Sequence, residues 1–170
     1  MKKVFFSALA VIGFALSTNA QATATATATA TIVTPISISK TADMNFGNIA
    51  VQASTGGTVI LAPAGTRTTG GAGGVTLPAT TGTVAAAAFT VNGNGNYTYA
   101  ITLPASAVTL TRASGSETMD ATAFTSTPSG TGTLSSGTQN VTVGATLTVA
   151  AAQVPGVYTS GNFNVTVNYN

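Results

Sequence analysis

The sequence predicts an all-β protein, an antiparallel β-sandwich that carries an extended N-terminal arm. Strand-forming residues such as Thr, Val and Ile recur along the whole chain and are separated by turns that draw on 19 glycines. The clearest periodic segments repeat every two residues, which is typical of strands with one buried face. The helix-prone run Ala85–Ala88 is too short to form a stable helix by itself.

The first twenty residues have the layout of a secretory signal peptide. A positive start at Met1–Lys3 precedes an apolar run at Val4–Leu16 and a small, polar stretch at Ser17–Ala20. The apolar run is shorter than the ~20 residues that a membrane-spanning helix needs. We expect cleavage after Ala20, with Ala22 nearly as good, and export through the periplasm to the cell surface or medium without a membrane span in the mature chain.

The mature chain then opens with an arm, residues 21–31, in which alanine and threonine alternate five times. In an extended strand this alternation places the alanines on one face and the threonines on the other. The apolar face continues at Ile32 and resumes at Ile36 and Ile38. Three interpretations fit the pattern: a strand donated to another subunit, a strand of the same subunit, or a solvated tether. The candidate assembly residues are Ala22, Ala24, Ala26, Ala28, Ala30, Ile32, Ile36 and Ile38.

Residues 32–170 are predicted to form one domain of short strands, because glycine-rich turn signals separate the apolar segments. The alternation is cleanest at the end of the chain, in Val141–Val149 and Asn162–Tyr169. The expected strands are Ile32–Ser39, Thr58–Ala62, Val84–Val91, Tyr97–Leu103, Val108–Thr111, Met119–Thr125, Val141–Val149 and Asn162–Tyr169. The expected core residues are Phe46, Phe89, Val91, Ile101, Leu103, Leu147, Phe163, Val165 and Val167. The segment Asn92–Asn96 alternates Asn with Gly, which favours a hairpin turn.

Charge is scarce, and only 5% of the residues carry one. After removal of residues 1–20 the basic and acidic side chains balance, so the mature chain has no basic surface that could bind nucleic acid. Low net charge also leaves little repulsion against self-association. The charged residues of the mature chain are Lys40, Arg67, Arg112, Asp43, Glu117 and Asp120.

Few side chains are available for catalysis. The absence of histidine and cysteine excludes catalytic triads, thiol nucleophiles and typical zinc sites. Glu117 and Asp120 could act as a glycosidase pair, or could join Asp43 as calcium ligands. We favour simple solvation of strand ends and loops for all three. The sequence therefore predicts no enzyme, no catalytic residue, no cofactor and no metal site.

Five segments, taken in order, resemble a family of secreted bacterial domains that is catalogued as domain of unknown function four-four-zero-two. The resemblance covers nearly all of residues 32–170, and its specificity comes from the order and spacing of the motifs. The segments are Ile36–Ile49, Val91–Gly93, Tyr97–Pro104, Val143–Leu147 and Pro155–Tyr169.

More distantly, Phe46-Gly47 and the closing strand resemble chaperone–usher pilins and spore-coat U proteins. The resemblance implies an immunoglobulin-like sandwich that lacks one strand, which an N-terminal extension of the next subunit supplies. It also implies self-association or related surface subunits as partners, with a periplasmic chaperone and an outer-membrane usher in the export route. The chain departs from the pilins because it has no disulfide and carries alanines where their donor strands carry bulky residues.

From these observations we expect a secreted, non-enzymatic structural or adhesive surface protein, a filament or coat subunit that assembles by strand donation. The alternative is a stand-alone secreted module that binds a glycan or a surface through its loops. Such a module would stack sugars on Tyr97, Tyr99, Tyr158 or Tyr169, because the chain has no tryptophan.

Overall fold

A computed structural model describes residues 21–170, which contain strands and turns but no helix. Every strand pair is antiparallel, so the all-β, antiparallel prediction is confirmed. No helix in residues 21–170 is long and apolar enough to cross a membrane. The predicted signal peptide, residues 1–20, lies outside the described residues. Residues 33–170 form one compact unit, and residues 21–32 are described separately.

Fifteen strands, most of them short, make up the compact unit. In chain order they are β1 (Ser37–Ala42), β2 (Asn45–Phe46), β3 (Ala50–Val51), β4 (Gly57–Leu61), β5 (Arg67–Gly70), β6 (Val75–Thr76), β7 (Val84–Ala85), β8 (Ala87–Asn92), β9 (Thr98–Thr102), β10 (Val108–Arg112), β11 (Thr118–Thr127), β12 (Thr131–Thr133), β13 (Thr138–Val149), β14 (Tyr158–Ser160) and β15 (Thr166–Tyr169).

The longest strand, β13, is the centre of an eight-stranded sheet with the order β1-β8-β13-β11-β10-β14, in which β4 also pairs with β13 and with β5. Along one edge, residues 138–143 of β13 pair with β8, and residues 145–149 pair with β4. Gly144 lies where the partner changes, and a Cβ there would collide with the carbonyl oxygen of Leu61. Glycine is therefore required at the junction of the two ladders.

A three-stranded sheet, β12-β9-β15, packs against the first half of β13. The shared core joins residues from both sheets, which makes this half a sandwich and agrees with the predicted immunoglobulin-like fold. Within it Tyr99 is fully buried, and its hydroxyl donates to Oε1 of Gln139 at 2.7 Å. The buried members of this first core cluster are Ala87, Phe89, Val91, Tyr99, Ile101, Leu134, Val141, Val143 and Val167.

A second core cluster lies on the other half of β13, where two-stranded sheets, β2-β7 and β3-β6, replace the three-stranded one. The guanidinium of Arg67 fixes this layer by donating to the main-chain carbonyls of Phe46, Asn48 and Thr81. Charge-assisted hydrogen bonds of this kind are stronger than neutral ones. The buried members of the second cluster are Phe46, Val59, Leu61, Val75, Ala121, Ala145, Leu147 and Val149.

The strand predicted at Val84–Val91 is two strands, β7 and β8, which belong to different sheets. The other predicted strands differ from the observed ones mainly at the two ends of the domain. The first begins at Ser37 rather than Ile32, and the last begins at Thr166 rather than Asn162. In both places the apolar alternation continues beyond the point where a neighbouring strand is available for pairing. Leu103, Phe163 and Val165 are half-buried, whereas the other six predicted core residues are buried.

The hairpin predicted at Asn92–Asn96 was wrong. Strand β8 belongs to the eight-stranded sheet and β9 to the three-stranded one, so the segment crosses between sheets. Asn96 does take a positive φ of 63°, which is the property that made asparagine and glycine look like a hairpin turn.

Replacing Gly144 by alanine should destabilise the fold, because the new methyl group meets main-chain atoms that cannot move aside easily. Overpacking of this kind costs about 1–3 kcal/mol. Urea unfolding followed by circular dichroism measures the loss. Gly161→Ala is the matched control, since a Cβ there meets no atom within 4 Å, and it should change stability by less than about 0.5 kcal/mol. Equal effects of the two substitutions would contradict the role of Gly144.

Candidate functional site

The arm forms no strand. Residues 21–36 carry no regular secondary structure, and residues 21–32 are all exposed, including the five alanines of the alternating repeat. The side chain of Ile32 is 93% exposed, which is unusual for a large apolar residue. An exposed segment with an apolar face therefore precedes the domain.

Ile36 and Ile38 are placed differently from the rest of the predicted assembly residues. Both are half-buried and pack against the first core cluster. Ile38 lies in β1 opposite Val91. These two isoleucines therefore contribute to the core of their own chain, and Ile32 is the exposed large apolar residue that precedes them in the sequence.

Tyr169 ties the start of the compact unit to its last strand. Its hydroxyl donates to the carbonyl oxygen of Thr34 at 2.8 Å and accepts from the main-chain N–H of Asn94 at 2.6 Å. The ring also makes an edge-on contact with Tyr97, with 5.6 Å between ring centroids. These contacts place residue 34 beside the end of β15.

The last strand and the residues before it present an edge that pairs with no second strand, although Thr34 and β1 lie near β15. Strand β15 pairs with β9 on one side only, and the main chain of residues 161–165 makes no hydrogen bond to any part of residues 21–170. We call residues 161–169 the closing edge. Its inward side chains alternate without interruption, as Phe163, Val165, Val167 and Tyr169, and each is buried or half-buried.

A cavity of about 1310 Å³ adjoins the closing edge. Its apolar wall is the inner face of β10, β11 and β13, which presents Leu110, Met119 and Leu147, among others. Residues 42–51 and 153–164 supply most of the remaining lining, so the closing edge contributes its first four residues. The volume exceeds that of an ordinary small-molecule pocket, which is roughly 300–1,000 Å³.

The three carboxylates do not converge, because each is engaged by a different neighbour. Asp43 pairs with Lys40 at 2.6 Å between Oδ1 and Nζ. Asp120 accepts a hydrogen bond from the hydroxyl of Thr109 at 2.7 Å. Glu117 pairs with Arg112 at 2.7 Å between Oε2 and Nε. No cluster of three metal-binding side chains occurs in residues 21–170, and the carboxylates act as partners of local donors.

The pair between Glu117 and Arg112 shifts the pKa of both groups. The hydrogen bond from Arg112 is the main cause that lowers the pKa of Glu117, and the same bond raises the pKa of Arg112. A lowered folded pKa means that ionised Glu117 stabilises the fold above the ordinary glutamate range. That contribution is lost as the pH falls through the lowered pKa.

The tyrosines do not form a common sugar-stacking surface. Tyr99 is fully buried, and burial raises the pKa of its hydroxyl. Tyr158 is half-buried and donates to the carbonyl oxygen of Val154 at 2.6 Å. Tyr97 is 43% exposed and contacts Tyr169. Of the four tyrosines, only Tyr97 and Tyr169 lie against each other.

The sequence did not reveal the cavity or the free main chain of the closing edge. The cavity is lined by segments that are about a hundred residues apart in the chain, so no local pattern describes it. The predicted strand at Asn162–Tyr169 identified the alternation correctly, and only the structure shows that its first half has no partner.

Replacing Arg112 by methionine should raise the pKa of Glu117 toward the ordinary glutamate value, because the charged hydrogen bond is lost. An NMR titration of the Glu117 side chain measures the change. Lys40→Met is the matched control, since Lys40 pairs with Asp43 and not with Glu117. A Glu117 pKa that is the same in all three proteins would show that the ion pair does not form in solution.

The comparisons with known proteins give one family and no relative. No curated protein and no solved structure matches the chain. A family model matches residues 36–169, which span the domain from the residue before β1 to the end of β15. The chain therefore belongs to the family described as domain of unknown function (DUF4402).

Proposed function

We propose that this chain is an exported, non-enzymatic structural or adhesive protein of the cell surface, a filament or coat subunit that associates by strand donation. In this mode an extended segment adds a strand to a free sheet edge, so that main-chain hydrogen bonds supply much of the affinity. The observation that carries the proposal is the arm, residues 21–31, which alternates like a strand and, with Ile32 after it, is exposed throughout.

The composition of the arm supports intermolecular pairing. It carries no charged residue, and Ile32 exposes nearly all of its side chain at the end of the repeat. Burial of an isoleucine contributes about 1.5–3 kcal/mol, against about 0.8 for one methyl group. Ile32, directly after the arm, is therefore the side chain that gains most from a partner.

The chemistry of the rest of the chain supports a non-enzymatic role. The carboxylates Asp43, Glu117 and Asp120 are each occupied by a separate local donor. The resemblance of the closing strand to those of pilins and spore-coat U proteins points the same way. In that setting a periplasmic chaperone and an outer-membrane usher would deliver the subunit.

A second candidate function is a binding module that recognises a glycan or surface through its loops. The observation that favours it is Tyr97, which is 43% exposed in the loop that joins the two sheets and is held against Tyr169. Aromatic faces of this kind can stack on sugars. This function needs no arm, so removal of the arm separates the two candidates.

Deleting residues 22–31 should give a folded protein that stays monomeric, because no strand of residues 21–170 includes any part of the arm. Ile32→Asp should weaken assembly more than Ala26→Ser, since the isoleucine buries the larger apolar surface. Size-exclusion chromatography and electron microscopy compare these variants with the chain that begins at Gln21.

Circular dichroism is the control for the deletion, and it should show the same β signal with and without the arm. A chain beginning at Gln21 that remains monomeric at high concentration, with its export partners supplied, would contradict strand donation. Glycan binding that survives deletion of the arm and disappears in Tyr97→Ala would instead support the binding module.

Replacing all three carboxylates, as Asp43→Asn, Glu117→Gln and Asp120→Asn, should leave assembly intact because none of them takes part in the proposed pairing. Some loss of stability at neutral pH is expected from breaking the Arg112 ion pair. Sizing and glycan hydrolysis assays on the purified proteins measure both properties. Glycan cleavage by the unaltered chain that is lost in Glu117→Gln would contradict the non-enzymatic role.

A further inference from the structure

We propose that the closing edge, residues 161–169, together with the adjoining cavity, is the site that receives the arm of a second copy of this chain. The inference rests on the proposed function, because it assumes that the arm is donated. It adds the position of the acceptor, which the arm by itself does not specify.

The main chain of the closing edge has hydrogen-bonding groups that no neighbouring strand pairs with. Residues 161–165 make no main-chain hydrogen bond to residues 21–170, and β15 has a neighbour on one side only. Main-chain donors and acceptors that pair with no other strand are free to pair with an added one. A donated strand beside residues 161–169 would satisfy them and would extend the three-stranded sheet to four.

The side chains of the closing edge alternate between an apolar inner face and a polar outer face, as those of the arm do. Phe163, Val165 and Val167 point inward, while the residues between them, Asn162, Asn164, Thr166 and Asn168, are exposed. An adjacent arm would place its alanines inward and its threonines outward, beside polar neighbours of similar size. Small alanines suit an inner face on which Phe163 already packs against Phe124, with 5.4 Å between ring centroids.

Length and charge also match. Nine residues of closing edge span about 30 Å, and the eleven residues from Ala22 to Ile32 can cover that distance in an extended strand at ~3.3 Å per residue. Neither segment contains a charged side chain. The two charges in the cavity lining, Lys40 and Asp43, pair with each other, so an uncharged strand can enter without burying an unpaired ion.

The other free edges in residues 21–170 are poorer acceptors. Strand β1 carries an exposed lysine and an irregular register between Lys40 and Ala42. Strand β5 begins with Arg67, and β12 and β14 have only three residues each. Charges, bulges and short length are the features that protect sheet edges from unwanted pairing. Strand β15 is also short, with four residues, but the closing edge carries no charged side chain and its register with β9 is regular.

The test uses the absence of cysteine from the sequence, so that every disulfide observed is an engineered one. Two chains that span residues 21–170 are made, one with Thr27→Cys in the arm and one with Asn164→Cys on the closing edge. Both positions are exposed, so both variants should fold. They are mixed, oxidised and analysed by peptide mass spectrometry for a 27–164 disulfide, while sizing reports assembly.

The matched control replaces Asn164→Cys by Thr69→Cys, an equally exposed position on the β5 edge. We expect the 27–164 disulfide to form at least tenfold faster than the 27–69 disulfide. We also expect an excess of the unaltered chain to suppress it. Equal rates at the two positions, or a faster reaction at residue 69, would overturn the assignment.

The result separates the two claims. Assembly without a 27–164 disulfide would show that strand donation occurs at another edge, which overturns the acceptor and leaves the proposed function intact. Absence of both assembly and disulfide would overturn the acceptor and the proposed function together.

Discussion

The structure depends on one continuous apolar face along β13. Every second residue of this strand from Val141 to Val149 is buried on the same side of the sheet. The first two of these residues belong to one core cluster and the last three to the other. Because a single strand supplies both clusters, the two halves of the domain cannot separate without exposing it. Gly144, at the point where β8 is replaced by β4, allows this change of partner without a steric clash.

The division of β13 between two covering layers also accounts for the candidate site. A three-stranded sheet covers one half, and two pairs of very short strands cover the other. The covering layers leave a cavity of about 1310 Å³ on the inner face of the large sheet. The chain passes from β14 to β15 along this cavity without a main-chain partner. Strand β13 is therefore paired along both of its sides, whereas the chain that runs along the cavity it leaves has a free main chain.

Sequence periodicity predicted the parts of the fold in which side chains alternate over several residues. The strand at Val141–Val149, the last strand and most of the core followed from it, because a half-buried strand has a period of two. Strands of two or three residues, such as β2 and β14, have no period to detect. The crossing at Asn92–Asn96 was misassigned because a positive φ occurs in hairpins and in other turns. The arm was identified from its repeat, but the cavity depends on contacts between distant segments that no local pattern records.

Amide hydrogen exchange is the measurement that tests this account most directly. In the monomeric chain that begins at Gln21, the amides of residues 141–149 should exchange slowest, and those of residues 161–165 should exchange as fast as an open chain. In the assembled protein the amides of residues 161–169 and of the arm should become protected together, while β13 remains unchanged. Two results would contradict a free edge that receives the arm of a second copy. In one, the amides of residues 161–165 are already protected in the monomer; in the other, their protection does not increase on assembly.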